Sequence, residues 1–584
     1  MRSGTRVVIG AALVALAVGA PWPRAAAQPP APAADLLLVN GTVLTVDGAD
    51  SIAQAIAISG GKIVAVGTNE QVRARAGSAT QVIDLRGRAA TPGLIDTHVH
   101  FSEAEALFNV NLSDVAVKKM DDVLARVRDQ VAKSTPGEWI RGAGWDEGKL
   151  AERRYVTAAV LDVVAPNNPV WLMHTTGHYG VANSYALRLS EVTKDTKDPP
   201  AGTIDRDAQG QPTGVMKEAA MALVSRNVPA LTREQQRAGI VRIIEDFNTE
   251  GMTSAKDPGI GQAKWDIYQE LLKEGRLTVR LFALWSGARR VEDNAAVLAQ
   301  VNGHPRPTAA LADRMLISGG VKMFMDGSGG ARTAWMHADW NKNYTDKDTG
   351  NPGYPTMPPE AYREIVTTLH DAGIHVATHA IGDRAIDWVV DTYDKMLAAK
   401  PTRGLRHAII HDNTPTDHAI DVMARLQKEF DAGYPESQAP FAWWLGDNYA
   451  GNLGPDRAPR LNPFHTYVTK GIRWAGGSDY SVTPFPARYG LWASVARQTL
   501  NGTYGATPFG TKESVDIKTA LRSYTAWAAH QIFLDDRVGS IEVGKDADIA
   551  VWDRNMHTVA TDEVKDLRCE LTVFRGTIVY ERHQ

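Results

Sequence analysis

The chain has 584 residues, of which 44% are hydrophobic and 22% are charged, and its formal net charge is −4. This length allows a large hydrophobic core, organised as several domains or as one barrel with attached elements. A slightly negative chain lacks the basic excess that nucleic acids and anionic membrane surfaces attract, so neither partner is expected.

The N-terminal residues predict a secretory signal peptide over residues 1–27. Arg2 and Arg6 precede an apolar run, and the small residues 25–27 offer a cleavage site. An uncleaved anchor is the alternative, although the run is short for a membrane-spanning helix. Cleavage would give a periplasmic or secreted protein with no membrane attachment.

Cys569 is the only cysteine of the chain. Intramolecular disulfides are therefore excluded, even in an oxidising compartment. A bound metal would depend mainly on nitrogen and oxygen ligands, and Cys569 is expected to be a small buried residue.

Both ends of the mature chain have the pattern of β-strands. Near the N-terminus, residues 36–39 and 42–46 predict a hairpin with a turn at Asn40-Gly41, and residues 55–58 and 62–66 predict another. Strand-like stretches near the C-terminus are residues 549–552, 571–574 and 577–580. We expect a small β-sandwich built from residues 28–92 and 538–584, a urease-like composite domain, with residues 93–537 inserted between its halves.

The inserted part alternates strand-like and helical segments, as α/β proteins with parallel sheets do. The first strand follows Pro92-Gly93, and a long insertion over residues 101–248 separates it from the others. That insertion contains turns or a short hairpin over residues 202–214 and a helical pattern over residues 234–250. The later strand predictions are residues 252–255, 279–284, 321–325, 374–379, 406–411, 436–439 and 472–479. Eight such strands predict a TIM-type (β/α)8 barrel, with its active site at their C-terminal ends.

Polar residues stand on these predicted strands, close to where the active site is expected. His98 and His100 end the first strand, and because side chains alternate along a strand, both imidazoles face one way. Paired imidazoles suit a divalent metal such as zinc. The remaining members of the set are Lys322 in the fourth strand, His379 in the fifth, His411 in the sixth and Asp479 in the eighth.

Each of these residues also has a purely structural explanation. A histidine can be a satisfied core residue, an aspartate can cap an element, and Lys322 can pair with Asp326. A buried lysine is costly as an ammonium unless it is paired or discharged. All of these residues lie on the strands that the eight-strand barrel predicts, close to the expected active site. This agreement favours a metal centre over separate structural roles.

The order of these residues resembles the amidohydrolase superfamily, and within it the amidohydrolase-3, YtcJ-like group that includes N-substituted formamide deformylase. The resemblance extends over nearly the whole mature chain. The matching motifs are Pro92–His100, Gly144–Asp146, His178–Ser184, Gly320–Ser328, His379–Ala385, Gly477–Asp479 and Gly539–Asp548.

The resemblance implies roles for the conserved positions of the family. His98 and His100 would bind the more buried metal beside Asp479, and His379 and His411 would bind a second metal. Lys322 matches a lysine that the family typically carbamylates to a bridging carboxylate. Two metals would activate a bridging water as hydroxide. Asp479 would take its proton and pass it to the leaving nitrogen.

One position departs from the family pattern, and three further residues are weaker candidates. The group usually has a glutamate before the sixth-strand histidine, where this chain has Ile410, which leaves the tuning of His411 and the type of substrate open. His178, Glu218 and Trp443 are candidates for substrate binding. Their alternatives are a core or loop histidine, a surface charge and a packing aromatic.

The sequence therefore predicts an exported metal-dependent hydrolase of a non-peptide carbon–nitrogen bond in a small amide, formamide or urea-like molecule. The alternatives are a lactone, ester, phosphoester or deamination substrate on the same site, or a non-catalytic periplasmic binding protein. Zinc, manganese, iron and cobalt all accept these ligands, with one or two ions per chain. The oligomeric state is left open, and a homo-oligomer is one option.

Overall fold

The computed structural model describes residues 33–101, 110–113, 116–307, 314–340, 350–502 and 510–582. The predicted signal peptide lies outside these ranges, so it stays a prediction. In the described ranges, no helix is both long and apolar enough to cross a membrane.

Eight parallel strands, adjacent in chain order, form the central sheet. They are Leu94–Asp96, Met252–Ile260, Arg280–Ser286, Leu316–Phe324, Val376–Ala380, Ala408–His411, Tyr434–Ser437 and Ala475–Gly476. The first and eighth strands meet where the Thr97 amide donates to the Gly476 carbonyl (3.1 Å) and the Asp479 amide donates to the His98 carbonyl (2.7 Å). The sheet therefore curves into a nearly closed barrel, as the strand count predicted.

Helices cover the outside of the barrel. They are Arg233–Thr249, Gln262–Lys273, Asn294–Asn302, Pro359–Asp371, Asp383–Ala399, Asp417–Phe430, Phe464–Thr469 and Ala487–Ala496. The side chains of one strand alternate between two cores: Ile409 packs in the cluster shared with these helices, whereas Ile410 packs with Ile95 and Phe282 in the barrel interior. Two short helices, Ile517–Ser523 and Ala526–Gln531, complete the chain before the C-terminal strands.

Strands from the two chain ends form a β-sandwich. One sheet has the order Lys62–Gly67, Ala55–Ser59, Leu36–Val39, Gln81–Asp84. The other has the order Thr577–Glu581, Cys569–Phe574, Ile549–Trp552, Ala89–Pro92, Thr42–Leu44, Ile52–Ala53. Residues of both ends share one core, in which Leu38 and Ile56 pack with Ile549 and Val573. The predicted fold class, a TIM-type barrel with a composite sandwich, is confirmed.

The first predicted hairpin is wrong, whereas the others are confirmed. Leu36–Val39 and Thr42–Leu44 belong to different sheets, so the turn at Asn40-Gly41 carries the chain from one sheet to the other. All four residues of Leu36–Val39 are buried, and both edges of this strand are taken, by Ala55–Ser59 and by the parallel strand Gln81–Asp84. The hairpin predicted over residues 55–66 has the expected partners, and the strand-like stretches after residue 570 pair as another hairpin.

The long insertion forms a layer with its own sheet. The strand order is Gly202–Arg206, Pro212–Glu218, Tyr179–Ala182, Val170–His174, Ile140–Trp145, Val110–Asn111. The first two strands are antiparallel and confirm the hairpin predicted there. Short helices, Met120–Val131, Ala158–Asp162, Ser184–Leu189 and Ala222–Ser225, accompany this sheet. Two hydrophobic clusters built from insertion residues give the layer a core largely separate from that of the barrel.

Candidate active site

His98, His100 and Asp479 meet where the first and eighth barrel strands end. The Nε2 atoms of His98 and His100 lie 3.2 and 3.1 Å from Oδ1 of Asp479. Burial alone would raise the pKa of Asp479, but the adjacent imidazoles of His98 and His100 hold that pKa well below its usual value. Asp479 is therefore an ionised carboxylate between two imidazoles.

His379 and His411 stand on the other side of His98. The ring centres of His411 and His98 are 5.1 Å apart, and those of His379 and His411 are 4.4 Å apart. Burial lowers the pKa of each of these three histidines below the usual range. This direction favours the neutral imidazole, which is the form that binds metals.

The donor set fits a divalent metal. Ligand atoms of His98, His411 and Asp479 all lie within 4.8 Å of one another. Within the described part of the chain, three buried atoms have no hydrogen-bond partner of good geometry. They are the two ring nitrogens of His98 and Oδ1 of Asp479. Buried polar atoms are rarely left unsatisfied, and a shared metal ion would satisfy them.

Neighbouring groups orient the histidines. Nδ1 of His411 donates to Oε1 of Gln438 (2.7 Å), and Nε2 of His379 donates to the Gly327 carbonyl (2.9 Å). Each bond fixes one ring nitrogen and leaves the other for a metal. Asp96 accepts the His98 amide (3.0 Å) and the Ser478 hydroxyl (2.6 Å), which ties the two strand ends together.

Backbone strain is concentrated at the same strand ends. His411 and Asp479 have φ angles of 73° and 56°, in the left-handed region that non-glycine residues seldom adopt. The surrounding structure must hold such conformations in place, and they cluster at functional sites. The turn at His411 interrupts the alternation of its strand, so its ring stands at the barrel mouth rather than against the outer helices.

Lys322 is buried, with 2% of its surface exposed. Burial lowers the pKa of its amine to about 7, although the charge of Asp479 acts in the opposite direction. Its Nζ lies 4.7 Å from the centre of the Phe324 ring, and no ion pair with a described carboxylate compensates it. Asp326, the structural alternative, instead accepts the amides of Ile381 (3.0 Å) and Gly382 (2.8 Å). A neutral amine is the form that can add carbon dioxide.

His178 and Glu218 come from the insertion and reach the same centre. Nδ1 of His178 donates to Oε1 of Glu218 (3.0 Å), and the His178 ring centre lies 5.1 Å from that of His379. Thr333 also donates to Glu218 (2.5 Å). A Cβ atom on Gly327 would lie 2.4 Å from Oε1 of Glu218, so only glycine leaves room for the carboxylate. Burial alone would lower the pKa of His178, but the Glu218 charge raises it.

A cavity of about 1360 Å³ lies between the insertion layer and the barrel mouth. All the predicted metal-binding residues line it, and so do His178 and Glu218. The third substrate-binding candidate requires a correction: Trp443 is not among the lining residues but packs against Trp444 and Tyr489, which do line the cavity. Trp444 also lies under the ammonium of Lys149, 3.7 Å from its ring centre.

Several polar groups near the site were not predicted from the sequence. Asp96 ends an apolar strand and Gln438 directly follows the seventh strand, and these positions were the available signal. Ile410 is the register partner of Glu436 on the seventh strand. Glu436 forms an ion pair with Lys256 inside the barrel, and the side chains of Glu436 and Lys256 are both fully buried. The carboxylate missing at position 410 therefore has a counterpart on the next strand.

A second polar cluster lies in the insertion, and its member His174 lines the cavity. Asp146, Glu147 and His174 have ligand atoms within 4.8 Å of one another. The Tyr179 hydroxyl lies 2.7 Å from Oε2 of Glu147 and 2.6 Å from Nε2 of His174. These groups satisfy each other, and the Lys149 ammonium lies 3.9 Å from Asp146. The cluster is a hydrogen-bonded support for the loop that carries His178.

A family model described as the amidohydrolase family matches residues 81–580. The chain belongs to this family. It is therefore an enzyme, a metal-dependent amidohydrolase-superfamily hydrolase that acts on small molecules, and the predicted resemblance is confirmed.

Two curated relatives and one solved structure are similar along nearly the whole length of this amidohydrolase. N-substituted formamide deformylase of Arthrobacter pascens is 30% identical, covering 94% of this chain and 98% of its own. The YtcJ protein of Bacillus subtilis is 26% identical, covering 91% and 96%. An uncharacterized metal-dependent hydrolase of Pyrococcus furiosus is 25% identical, with a TM-score of 0.65, covering 90% of this chain and all of the other.

Proposed function

We propose that this enzyme hydrolyses the carbon–nitrogen bond of a non-peptide amide or formamide. The observation that carries the proposal is the convergence of His98, His100, His379, His411, Asp479 and the buried Lys322 at the mouth of the barrel, within one large cavity. The similarity to a formamide deformylase over nearly the full length supports this bond type.

The proposed metal ligands are His98, His100, His379, His411 and Asp479. Lys322, as a carbamate, would be a ligand shared by the His98 and His100 group and the His379 and His411 group. A divalent metal, for which we propose zinc, supplies Lewis acidity and lowers the pKa of a water molecule to near neutrality. The carbamate forms when the neutral Lys322 amine attacks carbon dioxide and loses a proton, which converts a buried base into a carboxylate.

Side chains of the cavity carry out the proton transfer and the positioning of the substrate. Asp479, held by two imidazoles, accepts the proton of the attacking water and delivers it to the leaving nitrogen, which then departs as a neutral amine. His178 lies across the centre from Asp479, and Glu218 fixes its ring, so it is placed to hydrogen-bond the reacting amide. The insertion layer covers the cavity and limits access of bulk water.

We also propose that the enzyme is exported, on the strength of the charged and apolar N-terminal residues. Two features are compatible with an oxidising compartment: the chain has one cysteine, and that cysteine is buried. Burial raises the pKa of the Cys569 thiol to about 12, which keeps it unreactive.

Metal content tests the proposed site directly. Plasma mass spectrometry of the purified mature protein is expected to find about two divalent ions per chain, and a chelator is expected to abolish activity until metal is returned. The His98→Ala variant is expected to lose most of this metal, because it removes a buried ligand. A His375→Ala variant is the control, since this buried histidine donates to the Leu405 carbonyl (3.0 Å) and is not among the residues that line the cavity.

A substrate panel tests the bond type. Metal-loaded enzyme is expected to release amine from N-formyl and N-acetyl amines and to leave matched esters and lactones intact. Faster hydrolysis of the esters or lactones would contradict the proposal and favour the alternative chemistry on the same site. Metal-free protein that shows neither activity nor metal uptake would contradict the site as well.

The contact between His178 and Glu218 predicts a moderate catalytic effect. The Glu218→Gln variant is expected to lower kcat/KM about tenfold while the metal content stays unchanged, because groups that orient site residues typically contribute 10- to 100-fold. The matched control is Glu513→Gln, a buried glutamate that accepts from Thr466 and does not line the cavity. Equal kcat/KM in both variants would show that Glu218 does not act through His178.

A further inference from the structure

Three basic side chains line the cavity away from the proposed metal centre. Arg141 lies on the insertion strand Ile140–Trp145, Lys264 lies in the first turn of the helix Gln262–Lys273, and Arg289 follows the third barrel strand. Arg141 and Lys264 are half-buried, and Arg289 is exposed. Three separate elements thus bring positive charge to the lining of one cavity.

These cations are not neutralised by the described parts of the wall. None of the three forms an ion pair with a described residue; Arg141 only donates to the Pro229 carbonyl (2.8 Å). The acidic residues of the described lining are Glu218 and Asp479, which already bind histidines at the deep end. Within the described residues, a chain of net charge −4 therefore presents these three cations, the cationic rim, at this cavity. Such a rim attracts anions, because low-dielectric walls focus its field.

The volume and the lining of the cavity indicate the size of the ligand. The cavity volume of about 1360 Å³ exceeds the roughly 300–1,000 Å³ of common small-molecule sites. Between the two ends the wall is largely apolar, formed by Trp171, Met173, Met221 and Leu231.

We propose that the preferred substrates are amides with an apolar body and a carboxylate at the end remote from the scissile bond, and that Arg141, Lys264 and Arg289 bind this carboxylate. The inference rests on the proposed amide hydrolysis and adds the substrate class. Arginine and lysine at a half-exposed rim pair with a carboxylate while the apolar walls hold the body of the molecule.

A pair of substrates tests the proposal with the metal-loaded full-length enzyme. The first is the N-formyl or N-acetyl derivative of 4-(aminomethyl)benzoate, and the second carries a methyl group in place of the carboxylate. The carboxylate substrate is expected to have a kcat/KM about 20-fold higher at low ionic strength, and salt is expected to reduce this preference. Equal kcat/KM for the two substrates would overturn the inference while amide hydrolysis stands.

Variants locate the effect at the rim. Arg141→Gln, Lys264→Gln and Arg289→Gln are each expected to lower kcat/KM for the carboxylate substrate about threefold, and the triple variant about 20-fold, with no change for the neutral substrate. Arg290→Gln is the control, since this neighbouring exposed arginine pairs with Asp293 and is not among the lining residues. Equal losses on both substrates would overturn the assignment. Failure to hydrolyse either substrate would instead refute the amide hydrolysis on which the inference rests.

Discussion

Replacing Asp479 with asparagine is expected to lower kcat by about 10³- to 10⁴-fold, because general acid–base catalysis and metal binding both depend on this carboxylate. The variant should fold. Asparagine tolerates the left-handed backbone that Asp479 adopts, with φ of 56°, and it keeps the shape of the side chain. Its amide can neither take a proton from water nor pass one to the leaving nitrogen.

The measurement is steady-state kinetics on the best amide of the panel, with metal content and thermal unfolding recorded for the same samples. Asp257→Asn is the matched control, because Asp257 is a buried carboxylate of the second barrel strand that accepts from the Tyr268 hydroxyl (2.5 Å) and does not line the cavity. A loss of less than about tenfold in kcat for Asp479→Asn would remove this residue from the proton transfer.

The ion pair between Lys256 and Glu436 predicts the largest effect on stability. These side chains come from the second and seventh barrel strands and are fully buried, with the first and eighth strands between them in the sheet. Burial, and to a lesser extent the neighbouring Lys322, lowers the pKa of Lys256, so the charged form of this lysine depends on its contact with Glu436. Glu436→Gln and Lys256→Met are each expected to destabilise the protein by about 3–5 kcal/mol, since each leaves the other group unpaired in the interior.

Urea unfolding of both single variants and of the double variant Lys256→Met/Glu436→Met measures this coupling. The double variant is expected to recover most of the lost stability, because apolar replacements remove both desolvation costs. Glu270→Gln is the control: its partner Arg233 is a surface residue, and no measurable shift of the urea midpoint is expected. Additive losses in the double variant would show that the two residues do not depend on each other.

Residues at strand ends were predictable one at a time. His98, His379, His411 and Asp479 follow apolar runs, and in a parallel barrel the C-terminal ends of all strands meet at one face. Counting strands was therefore enough to place these residues together. The side-chain directions of these residues were not predictable from the sequence. Strand alternation alone would point the His411 ring outward, and only the left-handed backbone at His411 turns it to the barrel mouth.

Contacts between distant segments were not predictable in this way. Lys256 and Glu436 are 180 residues apart and meet only because the barrel closes. The choice between Trp443 and Trp444 depends on how a short helix turns against the insertion. Leu36–Val39 found partners in residues 55–59 and 81–84 rather than in the next strand, because sandwich pairing maximises the burial of whole faces.

The sequence by itself determined the α/β class, the eight-strand order, the metal-binding residue types and the composition of the two chain ends, because hydrophobic periodicity and local turn residues encode each element. Tertiary structure alone decided how the insertion covers the mouth, how Glu218 reaches His178 past Gly327, and which cations surround the cavity. These depend on the packing of separate layers, and packing is set by the shape of complete surfaces rather than by any local pattern.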